Sequence, residues 1–404
     1  MRILVLAPRF PWPPDKGDRL TIFNYLRCLS KEHQLALACF VEHESPEDLG
    51  RVSEYLEAHA YVRKARWDGA LRCAVAMASR KPFQQAYYES WEMEARVEEL
   101  VRQFKPDIIY CHTIRMAPYA LRHPEVPNLL GMQISMALNY RRLVERSSSL
   151  ALRLFYGEEL RRVRPWEVAL ARKFDATVVI SRTDLEEMVK SGASVRERLH
   201  VMAHGVDAEH FHPGDGSVEV RPGSIVMTGN MAYPPNGDAV QYMVGEILPL
   251  VVEKVPGVEF WIVGKNPDTS TLALHNGKTV HVTGEVADTR PYLWQSEVAV
   301  VPVRVAAGLQ NKLLEALACG MPTVATPEAN EGIGARDGHE LLIGSTPEGF
   351  AAAVVKLLQD GSTAREMGLA GRQFIEREFT WEYFLGHLVG LMEQVVAGAD
   401  PARH

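Results

Sequence analysis

Two cations flank a glycine at the start of a predicted helix in the last third of the chain. Arg304 and Lys312 lie on either side of Gly308, which follows the apolar run at residues 298–302. A glycine there lets backbone N–H groups approach a ligand, and a helix N-terminus favours negative charge. Two cations beside that terminus can neutralise a diphosphate without a metal ion. Glu315, three residues after Lys312, can accept hydrogen bonds from ribose hydroxyls.

A simpler interpretation of the same residues is a solvated helix surface. Arg304 and Lys312 would then point into water, and Glu315 would form an ion pair with one of them. The spacing alone favours neither alternative.

The segments that must position these residues are short apolar runs alternating with longer amphipathic ones. This pattern is typical of βα units around a parallel sheet. The predicted strands cover residues 3–7, 34–41, 107–111, 128–134, 176–180 and 199–202, and then 224–228, 258–263, 279–283, 298–301 and 322–325. The helices predicted in the second half cover residues 238–254, 309–318, 347–358, 364–379 and 381–396. The predicted fold class is α/β.

A polar stretch rich in Pro and Gly at residues 210–217 separates the two series of strands. It predicts a first domain at residues 1–212, a second at 213–380, and a helix at 381–397 that packs back toward the first domain. Ligands of open α/β sheets lie beyond the carboxyl ends of the strands, so the loops there are the expected functional sites.

Composition narrows the function classes. The net charge is −7, which gives no general attraction to nucleic acid, and the five cysteines form no C-x-x-C pair. The first apolar run is too short for a signal peptide, and no run reaches the roughly 18 to 20 residues of a membrane span. We therefore expect no nucleic-acid partner, no metal site and a cytoplasmic location, with any contact at the inner face of the plasma membrane being peripheral.

The segment after Gly308 resembles the GT-B-fold, family-4 retaining glycosyltransferases. Its sequence is Gly308-Leu309-Gln310-Asn311-Lys312-Leu313-Leu314-Glu315, followed by Ala316-Leu317-Ala318-Cys319-Gly320-Met321-Pro322-Thr323-Val324-Ala325-Thr326. Other matching segments are Pro8-Arg9-Phe10-Pro11 with Gly17-Asp18-Arg19, Ile180-Ser181, and His204-Gly205-Val206-Asp207 with Phe211-His212-Pro213. With Ala329-Asn330-Glu331-Gly332-Ile333 downstream, the chain most closely resembles a subgroup associated with bacterial exopolysaccharide and exosortase systems.

The resemblance implies two Rossmann-like domains facing a central cleft. It implies transfer of a sugar from a nucleoside diphosphate sugar, with UDP or GDP as the expected nucleotide, to a hydroxyl acceptor with retention of configuration. The acceptor would be a carbohydrate, a lipid-linked sugar or a small molecule. The expected process is synthesis of bacterial cell-surface polysaccharide or glycoconjugate, and no cofactor or metal is expected.

The resemblance also implies roles for particular residues. Glu315 would bind the ribose, while Arg304 and Lys312 would neutralise the leaving diphosphate. The other donor-side residues would be Gly229, Asn230, Gly264, Val286, Gly308, Leu309, Gln310 and Asn311. Gly17, Asp18 and Arg19 would face the acceptor; alternatively Asp18 is a helix cap and Arg19 a solvated side chain.

Three positions depart from the family pattern. Ala307 stands where the family has a glutamate that contacts the sugar, and Gln133 stands where it has a histidine. The family's Arg and Lys after the first strand of the second domain are replaced within residues 229–236, where Asn230 and Asn236 are the polar residues. His112, at the end of a predicted strand, remains a candidate for catalysis or for a structural role. Ala307 and Gln133 favour one alternative, a non-catalytic partner protein that binds a nucleotide-sugar, and disfavour a second, a nucleotide-sugar epimerase of the same fold, which needs acid and base groups near the sugar.

Residues 140–173 carry nine cations against four acids. The cations are Arg141, Arg142, Arg146, Arg153, Arg161, Arg162, Arg164, Arg172 and Lys173, and they are interleaved with Leu150, Leu152, Leu154, Phe155, Tyr156 and Trp166. This pattern predicts a surface helix that approaches anionic lipid headgroups, or else a solvated helix packed on the sheet.

Overall fold

The computed structural model describes residues 1–14, 17–64, 72, 76, 80–147, 149–202, 205–304 and 309–398. The chain forms two compact units, the first made of Met1–Ala203 with Phe384–His404 and the second of His204–Tyr383. The division precedes the predicted linker because the residues just before that linker bond within the second unit. Val206 donates its backbone N–H to Phe379 at 2.7 Å, and the Phe211 carbonyl accepts from the Arg372 guanidinium at 2.7 Å.

The first unit contains a seven-stranded parallel sheet in the order β3-β2-β1-β4-β5-β6-β7. Its strands are β1 (Arg2–Ala7), β2 (Gln34–Val41), β3 (Ala58–Arg63), β4 (Ile108–His112), β5 (Asn128–Gln133), β6 (Ala176–Val179) and β7 (Leu199–Val201). Its helices are α1 (Gly17–Leu29), α2 (Pro46–Ser53), α3 (Phe83–Tyr87), α4 (Trp91–Phe104), α5 (Ala117–Ala120), α6 (Met136–Arg146), α7 (Leu150–Lys173) and α8 (Arg182–Ser191), followed by a 3-10 turn at Ala193–Arg198.

The second unit contains a six-stranded parallel sheet in the order β10-β9-β8-β11-β12-β13. Its strands are β8 (Ser224–Thr228), β9 (Glu259–Val263), β10 (Val280–Gly284), β11 (Val298–Val301), β12 (Thr323–Ala325) and β13 (Leu342–Ile343). Its helices are α9 (Pro234–Tyr242), which continues through a π-helical turn at Met243–Ile247 into α10 (Leu248–Lys254), then α11 (Thr269–Leu272), α12 (Arg290–Trp294), α13 (Asn311–Ala318), α14 (Pro327–Asn330), α15 (Pro347–Gln359) and α16 (Gly361–Glu378). The last helix, α17 (Trp381–Ala397), begins in the second unit and continues in the first.

Both sheets share one strand order, in which the first and fourth strands of the unit lie side by side. The chain leaves these two strands in opposite directions, so their carboxyl ends form the switch point where ligands of such sheets bind. In the first unit this point lies beyond Ala7 and His112, and in the second beyond Thr228 and Val301. The α/β prediction with two parallel sheets is confirmed.

Two of the four edge strands, β3 and β13, were not predicted. In β3 the buried positions alternate with exposed ones, since only one face is covered, and its sequence therefore lacks a continuous apolar run. Strand β13 has only two residues. Three helix starts also differ: α9 begins at Pro234, where proline suits the first helical turn, α13 begins at Asn311 rather than at residue 309, and α16 begins at Gly361 rather than at residue 364.

The long helix α7 is buried along its second half, as a helix packed on the sheet would be. Arg162 is 7% exposed and donates to the carbonyls of Ala76 and Lys81 at 2.7 and 3.1 Å. Buried Glu167 accepts from the N–H groups of Met136 and Ala137 at the start of α6. Among the described residues, no helix has both the length and the apolar character needed to cross a bilayer.

Candidate functional site

Three glycines close the carboxyl edge of the second sheet. Gly229 and Gly264 follow β8 and β9, Gly284 ends β10, and all three have positive φ, at 153°, 142° and 72°. The N–H of Gly229 bonds the Val263 carbonyl at 2.9 Å, and the N–H of Gly264 bonds Gly284 at 3.2 Å. A Cβ on Gly264 would lie only 1.8 Å from the Gly229 carbonyl oxygen. The two loops can approach this closely only without side chains.

The first turn of α13 reaches the same edge. The Cε atom of Lys312 lies 3.4 Å from the point that a Cβ on Gly229 would occupy, and its ammonium donates to the Gln310 side chain at 3.1 Å. Asn236 donates to the Asn230 carbonyl at 2.8 Å, while its own buried amide oxygen accepts no hydrogen bond. The structure therefore brings together Gly229, Gln310 and Lys312, three residues that sequence analysis had placed on the donor side.

The N-terminus of α13 is open to a ligand. Gln310 stands at the cap position, but its side chain accepts from Lys312 and makes no capping bond to a backbone N–H of the helix, so the first N–H groups keep their capacity for an anion. Leu309 and Gln310 are 8% and 6% exposed, and Asn311 is half-buried. Gly308 and Ala307 lie outside the described residues.

Lys312 and Glu315 form an unusual electrostatic pair. Burial lowers the pKa of Lys312 to about 8, although the nearby Glu315 opposes this shift. Burial likewise raises the pKa of Glu315 to about 7, against the effect of Lys312. Both groups are half-buried by surface area and lie on one helix, one turn apart. Perturbed titration of two neighbouring groups at a sheet edge is characteristic of functional sites.

Arg304 has acidic neighbours that the sequence alone does not reveal. Its guanidinium bonds both carboxylate oxygens of Asp238, at 2.6 and 3.1 Å, and lies 3.7 Å from Glu246. Its Cζ atom is 4.3 Å from the centre of the Tyr242 ring. Its charge is therefore already compensated, which makes Lys312 the stronger candidate for contact with a diphosphate.

The remaining donor-side residues have structural partners as well. The Asn230 side chain accepts from the Ala232 N–H at 3.2 Å and from Asn266 at 3.4 Å, which fixes the loop after β8. Val286 packs, half-buried, against an apolar cluster that includes Val226.

In the first unit, the side chains of His112 and Gln133 both contact the hydroxyl of one tyrosine. The hydroxyl of Tyr110 lies 3.5 Å from His112 Nδ1 and accepts from the Gln133 amide at 3.4 Å. A Cβ on Gly131 would lie 2.0 Å from that hydroxyl, so glycine makes room for it. Tyr110 was not predicted as a site residue because it lies within an apolar strand, although the period-two alternation of that strand places its side chain on the same face as that of His112.

His112 is fully buried, and its Nε2 atom has no hydrogen-bond partner in the described part of the chain. Burial and Arg115 lower the pKa of His112 to about 4, while Asp18 opposes that shift. The imidazole is therefore neutral at physiological pH. Asp18, in the first turn of α1 after Gly17, accepts from the Arg9 guanidinium at 3.2 Å, and Arg19 follows half-buried.

Among the residues with described positions, no three His, Cys, Asp or Glu side chains converge as a metal site would require.

Comparisons with known families agree with the fold. Residues 22–210 match the family model Glycosyltransferase Family 4, and residues 222–360 match the model Glycosyl transferases group 1.

An uncharacterised 44.6 kDa protein in the cps region of Klebsiella pneumoniae is 21% identical over 391 residues, which cover 94% of this chain and 96% of the relative. The MMP alpha-(1->4)-mannosyltransferase of Mycolicibacterium hassiacum is 26% identical over 238 residues, 56% of each chain. Among solved structures, Anabaena HepE in complex with UDP and glucose superposes with a TM-score of 0.67 at 11% identity, over 98% of this chain and all of the other. The fold is that of the GT-B glycosyltransferases.

The close approach of Gly264 to the Gly229 carbonyl can be tested by substitution. Gly264→Ala should lower the free energy of unfolding by about 2–3 kcal/mol, because it adds a backbone clash to an unfavourable φ. The matched control is Gly245→Ala, where a Cβ meets nothing within 4 Å. Urea denaturation of both variants measures the difference. Equal stabilities would contradict the close approach of Gly264 to Gly229.

Proposed function

We propose that this chain, a glycosyltransferase with the GT-B fold, transfers a sugar from a nucleoside diphosphate sugar to a hydroxyl acceptor with retention of configuration. The observation that carries the proposal is the cluster at the second sheet edge, where Lys312 and the N-terminus of α13, which has no side-chain cap, adjoin Gly229, with Glu315 one turn further along the helix. The ammonium and the N–H groups suit a diphosphate, and a carboxylate beside them suits ribose hydroxyls.

The proposed chemistry relies on stabilising the leaving group. The bond between the anomeric carbon and the diphosphate oxygen breaks, and Lys312 with the helix N-terminus stabilises the growing negative charge. We propose that no metal is needed, because these groups supply the positive potential. A bond from the acceptor oxygen to the anomeric carbon forms, and the acceptor proton passes to the departing phosphate. Neither neutral His112 nor Gln133 is then required as a base.

The relatives support the proposed biological process. The matched Klebsiella pneumoniae protein comes from a cps region, which supports a role in bacterial cell-surface polysaccharide or glycoconjugate synthesis and the narrower exopolysaccharide subgroup. UDP and GDP are the proposed nucleotides, because Anabaena HepE was solved with UDP and another matched relative, from Corynebacterium glutamicum, is described as GDP-mannose-dependent. The family-4 match supports retention.

Removing the carboxylate tests the ribose contact. Glu315→Ala should weaken binding of the preferred nucleotide-sugar roughly tenfold or more, because a charge-assisted hydrogen bond is lost. Calorimetric titration of UDP-, GDP-, ADP- and dTDP-sugars identifies that ligand. Exposed Glu253→Ala is the control and should bind as the wild type does.

Equal binding by Glu315→Ala and the wild type would refute the ribose assignment. Binding without turnover on any acceptor would favour a non-catalytic partner protein. Interconversion of nucleotide-sugars without an acceptor would favour an epimerase.

The two shifted pKa values predict how donor affinity depends on pH. Affinity should rise as Glu315 loses its proton around pH 7 and fall as Lys312 loses its proton above about pH 8. A nucleotide-sugar is the suitable probe, because its diphosphate does not titrate in this range. Glu315→Gln should remove the acidic limb of the profile and Lys312→Met the basic limb. Unchanged limbs in these variants would assign the titration to other groups.

We further propose a peripheral membrane contact at the α6–α7 hairpin. Of the thirteen large hydrophobic side chains that are exposed in the described part of the chain, five lie between residues 143 and 155. They are Leu143, Leu150, Leu152, Leu154 and Phe155, with exposures from 37% to 69%. Exposed Arg153 lies among them, so the surface combines apolar area with positive charge, as contact with anionic lipid requires.

Charging this surface should release the protein from vesicles. Leu150→Glu with Leu154→Glu should abolish co-sedimentation with phosphatidylglycerol vesicles, while binding to neutral phosphatidylcholine vesicles stays weak for all proteins. The control replaces two exposed apolar residues elsewhere, Leu272→Glu and Leu369→Glu. Binding that does not depend on anionic lipid, or that survives the hairpin substitutions, would exclude this contact.

A further inference from the structure

The first unit contains a cationic pocket at the carboxyl ends of its first strands. Its volume is about 380 Å³, within the usual range for small-ligand sites. The residues that line it follow the carboxyl ends of four neighbouring strands: Arg9 follows β1, Glu42 follows β2, Lys64 follows β3, and Arg115 follows β4. This is the edge at which open α/β sheets bind ligands.

The charge of the pocket is positive. Among the described residues that line it, four are cations, Arg9, Arg19, Lys64 and Arg115, and two are carboxylates, Glu42 and Glu44.

Arg115 lies at the pocket wall, where its guanidinium contacts two neutral groups. Its guanidinium donates two hydrogen bonds to the amide oxygen of Gln84, at 3.1 and 2.9 Å, and lies 5.4 Å from the centre of the Tyr88 ring. Gln84 is fixed in turn, because its amide nitrogen donates to the Tyr140 hydroxyl and its backbone N–H to Glu159. The guanidinium is therefore oriented before any ligand arrives.

Lys64 is the most buried of the four cations, at 8% exposure. Its ammonium donates to the Tyr87 carbonyl and lies 4.5 Å from the centre of the Tyr87 ring and 5.3 Å from that of Phe40. Aromatic faces attract a cation and stabilise it away from bulk water. In such a place a charge acts on a ligand more strongly than it would at the open surface.

Aromatic rings complete the wall. Phe40, Tyr87 and Tyr88 line the pocket together, with Tyr88 5.2 Å from Tyr87 and 5.8 Å from Phe40, ring centre to ring centre. Flat apolar faces next to cations suit a ligand that has a ring or chain and also a negative group.

We infer that this pocket binds a negatively charged group, a phosphate or a carboxylate, carried by the acceptor. The inference rests on the proposed function for the identity of the ligand as the acceptor. It deepens that function, because the acceptor becomes an anionic saccharide or lipid phosphate rather than a neutral sugar. Arg115 and Lys64 bind the negative group, and the aromatic wall contacts the ring or chain that bears it.

Calorimetry with three anionic probes tests the inference. Glucose 1-phosphate, glucuronate and farnesyl phosphate are titrated into the full chain already saturated with UDP or GDP, so that the second unit is occupied. Neutral methyl glucoside is the reference. At least one anion should bind roughly tenfold or more tightly than the reference, and the tightest of the three identifies the source of the charge.

Variants separate the pocket from the rest of the molecule. Arg115→Gln and Lys64→Met should each weaken the bound anion roughly tenfold while retaining nucleotide binding, which also shows that both proteins are folded. The matched control is Arg96→Gln, an exposed arginine on α4. Anion binding that is equal in all four proteins overturns the inference, as does a wild type that binds nucleotide but none of the anions. A wild type that binds an anion but no nucleotide leaves the pocket standing and overturns the proposed function instead.

Discussion

The proposed donor site depends on two opposite charges, those of Lys312 and Glu315, held one helical turn apart and half-buried on α13. Keeping Lys312 and Glu315 in that position disfavours the charged form of each, which is why their pKa values move toward one another. An apolar pair would stabilise the helix at least as well. The packing of the surrounding strands and of the apolar face of α13 must therefore offset the free-energy cost of burying these charges. In return, the arrangement places a positive potential beside a carboxylate that can accept hydrogen bonds from hydroxyl groups.

Both units shape their strand ends with unusual backbone conformations, but with different residues. In the second unit the residues directly after β8 and β9 that have positive φ are Gly229 and Gly264, so the backbone itself can approach a ligand there. In the first unit Thr113 and Gln133 have a φ of 69° at the ends of β4 and β5. Side chains therefore remain at those ends, so a ligand there would meet side-chain functional groups rather than bare backbone.

Much of the fold and part of the site could be predicted from local sequence. Central strands covered on both faces are continuous apolar runs, and the spacing of Lys312 and Glu315 on one helix follows from its period. Long-range partners could not be found in this way. Asp238, which bonds Arg304, lies 66 residues before it in the sequence. Lys64 follows β3, an edge strand whose alternating pattern was not recognised as a strand, so Lys64 was not recognised as a residue at a strand end.

The ring of Phe384 lies 5.6 Å from that of Tyr25, which in turn lies 5.4 Å from Tyr110 beneath His112 and Gln133. The polar cluster of the first unit is thus completed by a residue that the ribosome adds more than 270 positions after Tyr110. Domains usually fold in the order of their synthesis. Here the first unit can form its sheet early, but Phe384 reaches Tyr25 only after the residues of the second unit have been synthesised, so the unit that begins first is completed last.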